Sequence, residues 1–177
     1  MDLEAGAESI ANQAVEAART AKAIEGPIAV GARRHDLQVP RRDPTTQREG
    51  AIDRLNWQGQ GGRRDIFGPR VDAVTALPER LSLPVSAARI GPLGIATNPG
   101  ELFVEWGLDI KRRSPFPHTV VAELTNEYVG YQPDPGAFEL EGYETLVGAN
   151  RVSQEGIRML VNEALELLGQ LWDVSHE

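Results

Sequence analysis

Residues 89–103, Arg89-Ile90-Gly91-Pro92-Leu93-Gly94-Ile95-Ala96-Thr97-Asn98-Pro99-Gly100-Glu101-Leu102-Phe103, contain two chain breaks a few residues apart. Upstream of the first, Leu83, Val85, Ala87 and Arg89 alternate with Pro84, Ser86, Ala88 and Ile90, the period of two that marks a strand. Gly91-Pro92 makes a turn and Leu93 to Thr97 is a short apolar strand, so the two runs read as a β-hairpin. Pro99-Gly100 ends the second strand and Glu101 follows at once. Residues 101 to 111 put Leu102, Trp106 and Ile110 on one helical face, which places Glu101 at a strand-to-helix junction, in the first turn of the helix.

The pattern continues on both sides of this unit. Residues 7 to 24 read as a helix, with Ile10, Ala14, Ala17, Ala21 and Ile24 at three- and four-residue spacing and Gly26-Pro27 as its stop. Ile28 to Ala32 and His35 to Val39 read as two short strands. Thr45 and Thr46 cap a short helix to about Leu55, and the glycine-rich stretch from Trp57 to Arg70 reads as a surface loop or lid. It lacks the Gly-Lys-Ser/Thr ending of a phosphate-binding loop.

Downstream, Thr119 to Leu124 is a strand leading into the loop Thr125 to Pro133, and Asp134 and Glu139, at the loop Gln132-Pro133-Asp134-Pro135, read as turn residues. Ser153 to Leu171 is an amphipathic helix, striped by Ile157, Leu160, Val161, Ala164, Leu165, Leu168 and Leu171. Short strands interleaved with helices give an α/β or α+β fold, a mixed sheet with flanking helices.

With 177 residues the chain suffices for one domain, 1–177, with a core. Hydrophobic residues at 41% and charged residues at 25% are ordinary globular usage, against disorder. A formal net charge of −8 and scattered arginine pairs speak against a nucleic-acid partner. There is no cysteine, which removes disulfides and thiolate metal sites. No apolar run reaches the ~20 residues of a transmembrane helix. Met1-Asp2-Leu3-Glu4 shows no signal peptide, and localisation stays open.

A carboxylate at a strand end can meet free backbone N–H groups or ligate a metal. A tyrosine ligates a metal only beside a strong positive charge that removes its proton. Alone, Glu101 reads as structural and Tyr131 as a packing residue. Their order with further motifs carries more. Pro99-Gly100-Glu101-Leu102-Phe103, then Asn126-x-Tyr128-x-Gly130-Tyr131, then Gly142-Tyr143-Glu144 resembles the C-terminal part of the catalytic domain of neutral/alkaline, non-lysosomal ceramidases. Arg89 to Ile95 resembles that family's hairpin before the Pro-Gly-Glu turn, and Leu37-Gln38-Val39-Pro40-Arg41-Arg42 its Leu-x-Leu-Pro-x-Arg strand. The resemblance is clearest from Leu83 to Glu144.

The resemblance implies a zinc site of two histidines, a glutamate and a tyrosine, with Glu101 and Tyr131 as the last two. It implies that Tyr143 hydrogen-bonds the oxygen of the scissile amide. The reaction is then hydrolysis of an N-acyl sphingoid amide, or another N-acyl amide, to a fatty acid and an amine. In that reaction zinc activates water and polarises the carbonyl, and Tyr143 supports the oxyanion.

The family's zinc histidines lie in an N-terminal half that this sequence does not match. The three histidines here, His35, His118 and His176, lie in no such motif. Zinc is therefore expected only with histidine ligands from outside this chain, which is read as an incomplete half of a larger domain and inactive alone. The partner that completes it is a missing N-terminal half or a second copy. The alternative is a non-catalytic remnant or partner-binding fragment of the same fold. An incomplete half leaves a sheet edge and an apolar face open, so the isolated chain is expected to dissolve poorly or to oligomerise.

Overall fold

The computed structural model describes residues 2–47 and 63–173. Its centre is a four-stranded mixed sheet in the order β1-β2-β3-β5, built from β1 (Val30–Pro40), β2 (Arg80–Ile90), β3 (Leu93–Thr97) and β5 (His118–Ala122). β1 pairs antiparallel with β2 over its full length, from Val30 opposite Ile90 to Pro40 opposite Arg80. The two short strands expected at 28–32 and 35–39 are thus one, because a partner of equal length satisfies the backbone straight through Arg33 and Arg34.

The expected hairpin is present. Ile90 faces Leu93, and Gly91 takes φ +56° at the first central position of the two-residue turn, where glycine is favoured. β5 then runs parallel to β3, with Leu93 opposite His118 and Thr97 opposite Ala122. The crossover between them contains α3 (Val104–Arg113), as a parallel pair requires.

The last helix, α5 (Gln154–Asp173), covers one face of the sheet. The Ser153 hydroxyl accepts from Gly156 N at 3.0 Å and caps it. Ile157, Leu160, Val161, Ala164, Leu167, Leu168 and Leu171 are buried against Val39, Leu83, Val85, Ala87 and Ala96. Each large side chain buried this way contributes about 1.5–3 kcal/mol relative to exposure. Ile110 of α3 joins the same core with Trp106 packed against it, so these two share the inward face as their spacing predicts; Leu102, expected on the same helical face, also packs on the core but precedes the helix.

On the opposite face of the sheet, Val30, Ile90 and Val120 are exposed. Alternation along paired strands explains this: they point away from the side chains that meet α5.

Other boundaries moved. The first helix, α1, is Leu3–Thr20 rather than 7–24, because Asp2 caps it, accepting from Glu4 N at 3.1 Å. None of its residues is buried. Asp43, not Thr45 or Thr46, caps the turn Pro44–Thr46, accepting from Thr45 N at 2.9 Å; the continuation expected to about Leu55 lies outside the described residues. Residues 63–70 of the expected glycine-rich loop belong to helix α2 (Arg63–Thr75), which tolerates Pro69. Phe67 and Val74, seven residues and two turns apart, are both buried and hold it down. A short helix, α4 (Pro135–Leu140), follows the expected loop: Asp134 is its cap and Glu139 lies within it, where both were expected as turn residues.

Among the described residues no helix is long and apolar enough to cross a membrane.

Candidate active site

Glu101 does not open a helix. It lies in β4 (Glu101–Leu102), a two-residue strand paired in parallel with β6 (Tyr131–Gln132), and α3 starts three residues later. The cause is local. Glu101 N donates to Gly130 O at 3.0 Å and Phe103 N to Gln132 O at 3.2 Å, which fixes extended backbone before the helix begins. Residues 101 and 131 are opposite one another in this pair. Facing residues of a parallel pair project to the same side.

Two glycines permit the approach. A Cβ on Gly100 would stand 2.6 Å from both Gly130 O and Gln132 Nε2. A Cβ on Gly130, which has φ +76°, would stand 2.1 Å from Ala149 O. The buried Asn98 adds a turn, its Oδ1 accepting from Gly100 N at 2.9 Å. Leu124 and Asn126, both with positive φ, bend the chain after β5, so that Leu124 N reaches Gly100 O and Thr125 N reaches Asn98 O. The strand expected to run to Leu124 therefore stops at Ala122.

The resulting cleft, of about 360 Å³, is lined by Glu101, Tyr128, Tyr131, Tyr143, Arg70 and Arg151 among others. The Tyr128 hydroxyl donates to Glu101 Oε1 at 3.0 Å. The Tyr131 phenol is pushed up to about 12, first by its hydrogen bond to Glu101 and then by desolvation and the repulsion of that carboxylate. Tyr128 is raised for the same first reason. Tyr143 stacks edge-on against Tyr131, with ring centroids 5.9 Å apart, and its oxygen accepts from Arg70 Nη1 at 3.1 Å.

The histidines lie elsewhere. His35 Nδ1 pairs with Glu163 Oε1 of α5 at 2.8 Å. His118 opens β5 opposite Leu93, at the end of the sheet remote from the turn after Thr97. His176 lies outside the described residues. Among the described residues no three His, Cys, Asp or Glu side chains come together. A zinc site uses three or four protein ligands. Glu101 and Tyr131 alone do not fit a resident zinc ion, although a carboxylate and a phenol held at one point form part of such a donor set.

Arg70, Tyr128 and Arg151 have no role in the sequence reading. Arg70 ends a glycine-rich stretch whose local composition reads as a loop. Tyr128 stood inside the quoted motif, three residues from Tyr131, which was the available signal for it.

No protein-family model matches the sequence, and no curated protein matches it. Solved structures share its fold, two of which are ceramidases. One is the neutral ceramidase of Pseudomonas aeruginosa, at 18% identity and a TM-score of 0.57, covering 89% of this chain and 30% of that one. The other is a ceramidase complexed with C2, at 17% identity and a TM-score of 0.57, covering 92% of this chain and 33% of that one. The chain thus spans about a third of the length of the proteins it matches. It has the fold of a part of a ceramidase-like domain.

Proposed function

We propose that this chain supplies one side of the active site of a ceramidase-like, zinc-dependent amide hydrolase and is inactive by itself. The observation that carries the reading is the β4–β6 pair, which holds Glu101 and Tyr131 opposite one another beside Tyr143 in one cleft.

Glu101 and Tyr131 are the metal-directed donors of this chain, and the remaining ligands, two histidines, come from outside it. Zinc, once held, supplies a Lewis acid and an activated water. The substrate is an N-acyl amide of the sphingolipid class. Tyr143 meets the oxygen of its scissile carbonyl with a hydroxyl hydrogen bond, and Tyr128 steadies the Glu101 carboxylate from the side.

Free imidazole can stand in for the absent histidines. Zinc alone is expected to bind the purified chain weakly and without saturation. Zinc with imidazole is expected to produce saturable tyrosinate absorbance, one phenolate per chain, because the cation displaces the phenol proton. Glu101→Ala and Tyr131→Phe are each expected to abolish it. A folded chain that develops no tyrosinate under these conditions is instead a non-catalytic remnant of the fold.

A further inference from the structure

The cleft beside Glu101 contains two guanidiniums, Arg70 and Arg151, that form no ion pair with a carboxylate among the described residues. Its charged lining is therefore two cations against one anion, and that anion, Glu101, already accepts from Tyr128 and Tyr131. The balance favours an anionic guest.

Arg70 is exposed, and its cleft-facing contacts set its direction. Gly148, with φ +96°, lies so close that a Cβ there would stand 2.5 Å from Arg70 Cβ. The guanidinium lies 5.3 Å from the centroid of the Phe67 ring, and Phe67 meets Tyr143 edge-on at 5.8 Å. From this position Arg70 Nη1 donates to the Tyr143 oxygen at 3.1 Å.

A phenol oxygen that accepts from a guanidinium must aim its own O–H elsewhere. No group among the described residues accepts that hydrogen, and none accepts from the other N–H groups of Arg70. Two kinds of donor, one of them cationic, are thus coupled at the edge of a cleft with positive balance. This is the donor pattern that a carboxylate, with its two oxygens, satisfies.

We propose that Arg70 and Tyr143 form a single carboxylate-binding couple, which holds the head of an acyl chain in this cleft. The inference shares with the proposed function the placement of Tyr143 at the acyl oxygen, but it requires no metal. Amide hydrolysis releases a carboxylic acid, so the couple would retain the acid product.

The probe is hexanoate, titrated into the whole chain in metal-free buffer and followed by the ring NMR signals of its three tyrosines. Saturable shifts at Tyr143 are expected, with hexanol far weaker. Arg70→Met and Tyr143→Phe should each weaken binding about tenfold, the loss of one charge-assisted hydrogen bond. The double variant should lose little more than either single one, because the two groups act as a unit. Arg70→Lys, which keeps the charge, should recover most of the affinity.

The proposal is overturned by hexanol binding as well as hexanoate, by wild-type affinity in Arg70→Met, by fully additive losses, or by no saturable binding. Zinc and Glu101 do not enter this assay, so its failure leaves the zinc–imidazole result standing, and the reverse holds.

Discussion

Gly130→Ala is expected to destabilise the chain by about 3 kcal/mol or more, well above the centre of the distribution for single substitutions. The new Cβ would fall 2.1 Å from Ala149 O and 3.1 Å from Ala149 C, backbone atoms that no rotamer change can move. The φ of +76° adds strain for any residue with a side chain. Gly130 O also accepts from Glu101 N, and Arg151 N donates to Val129 O, so a shift here loosens both neighbours of the cleft. Urea unfolding followed by tryptophan fluorescence measures the effect. Gly169→Ala is the matched control: it lies in α5 with nothing within 4 Å of its would-be Cβ, and is expected to stabilise by roughly 0.5–1 kcal/mol. Equal midpoints for Gly130→Ala and wild type would show that the close β6 contact is not required.

Leu168→Ala is expected to cost about 3 kcal/mol, within the 2–5 kcal/mol range for truncating a buried leucine. Leu168 is fully buried on α5, and its Cδ2 would be 3.0 Å from a Cβ placed on Gly94 of β3. Gly94 opens the groove that Leu168 fills, with Phe116 closing it at a would-be distance of 2.7 Å. The backbone of a central strand cannot collapse into the space left behind, so most of the cavity remains. A thermal melt of the variant against wild type reads the loss. A change below about 1 kcal/mol would mean that the helix is not seated on the sheet as described.

Much of this architecture is legible from side-chain periodicity. The alternation of Leu83, Val85 and Ala87 and the stripe of Ile157, Leu160, Val161 and Leu168 each state which side is wet, and these are the faces that meet. Glycine and proline at 91 and 92 localise the turn.

What periodicity misses depends on contacts distant in sequence. β4 and β6 have two residues each, too short for any repeat, and they exist because Gly100 and Gly130 allow backbones thirty residues apart to touch. Helix α2 contains Gly68 and Pro69, which locally argue for a loop, and the burial of Phe67 and Val74 overrides them. Arg70 takes its place in the cleft from that helix, so local composition gives no sign of it. The Glu101–Tyr131–Tyr143 grouping was suggested by motif resemblance, since no spacing rule joins a two-residue strand to a phenol thirty residues later.

The most direct measurement is the NMR titration of the Tyr131 phenol in wild type and in Glu101→Gln. Its midpoint is expected near 12 in wild type and is expected to fall toward the ordinary value of about 10 in the variant. A phenol whose pKa is raised by folding stabilises the native state while it keeps its proton. That stabilisation is complete below pH ~10 and disappears as the pH rises through about 12. A Tyr131 midpoint that does not respond to the loss of the Glu101 charge would contradict the convergence of these two side chains.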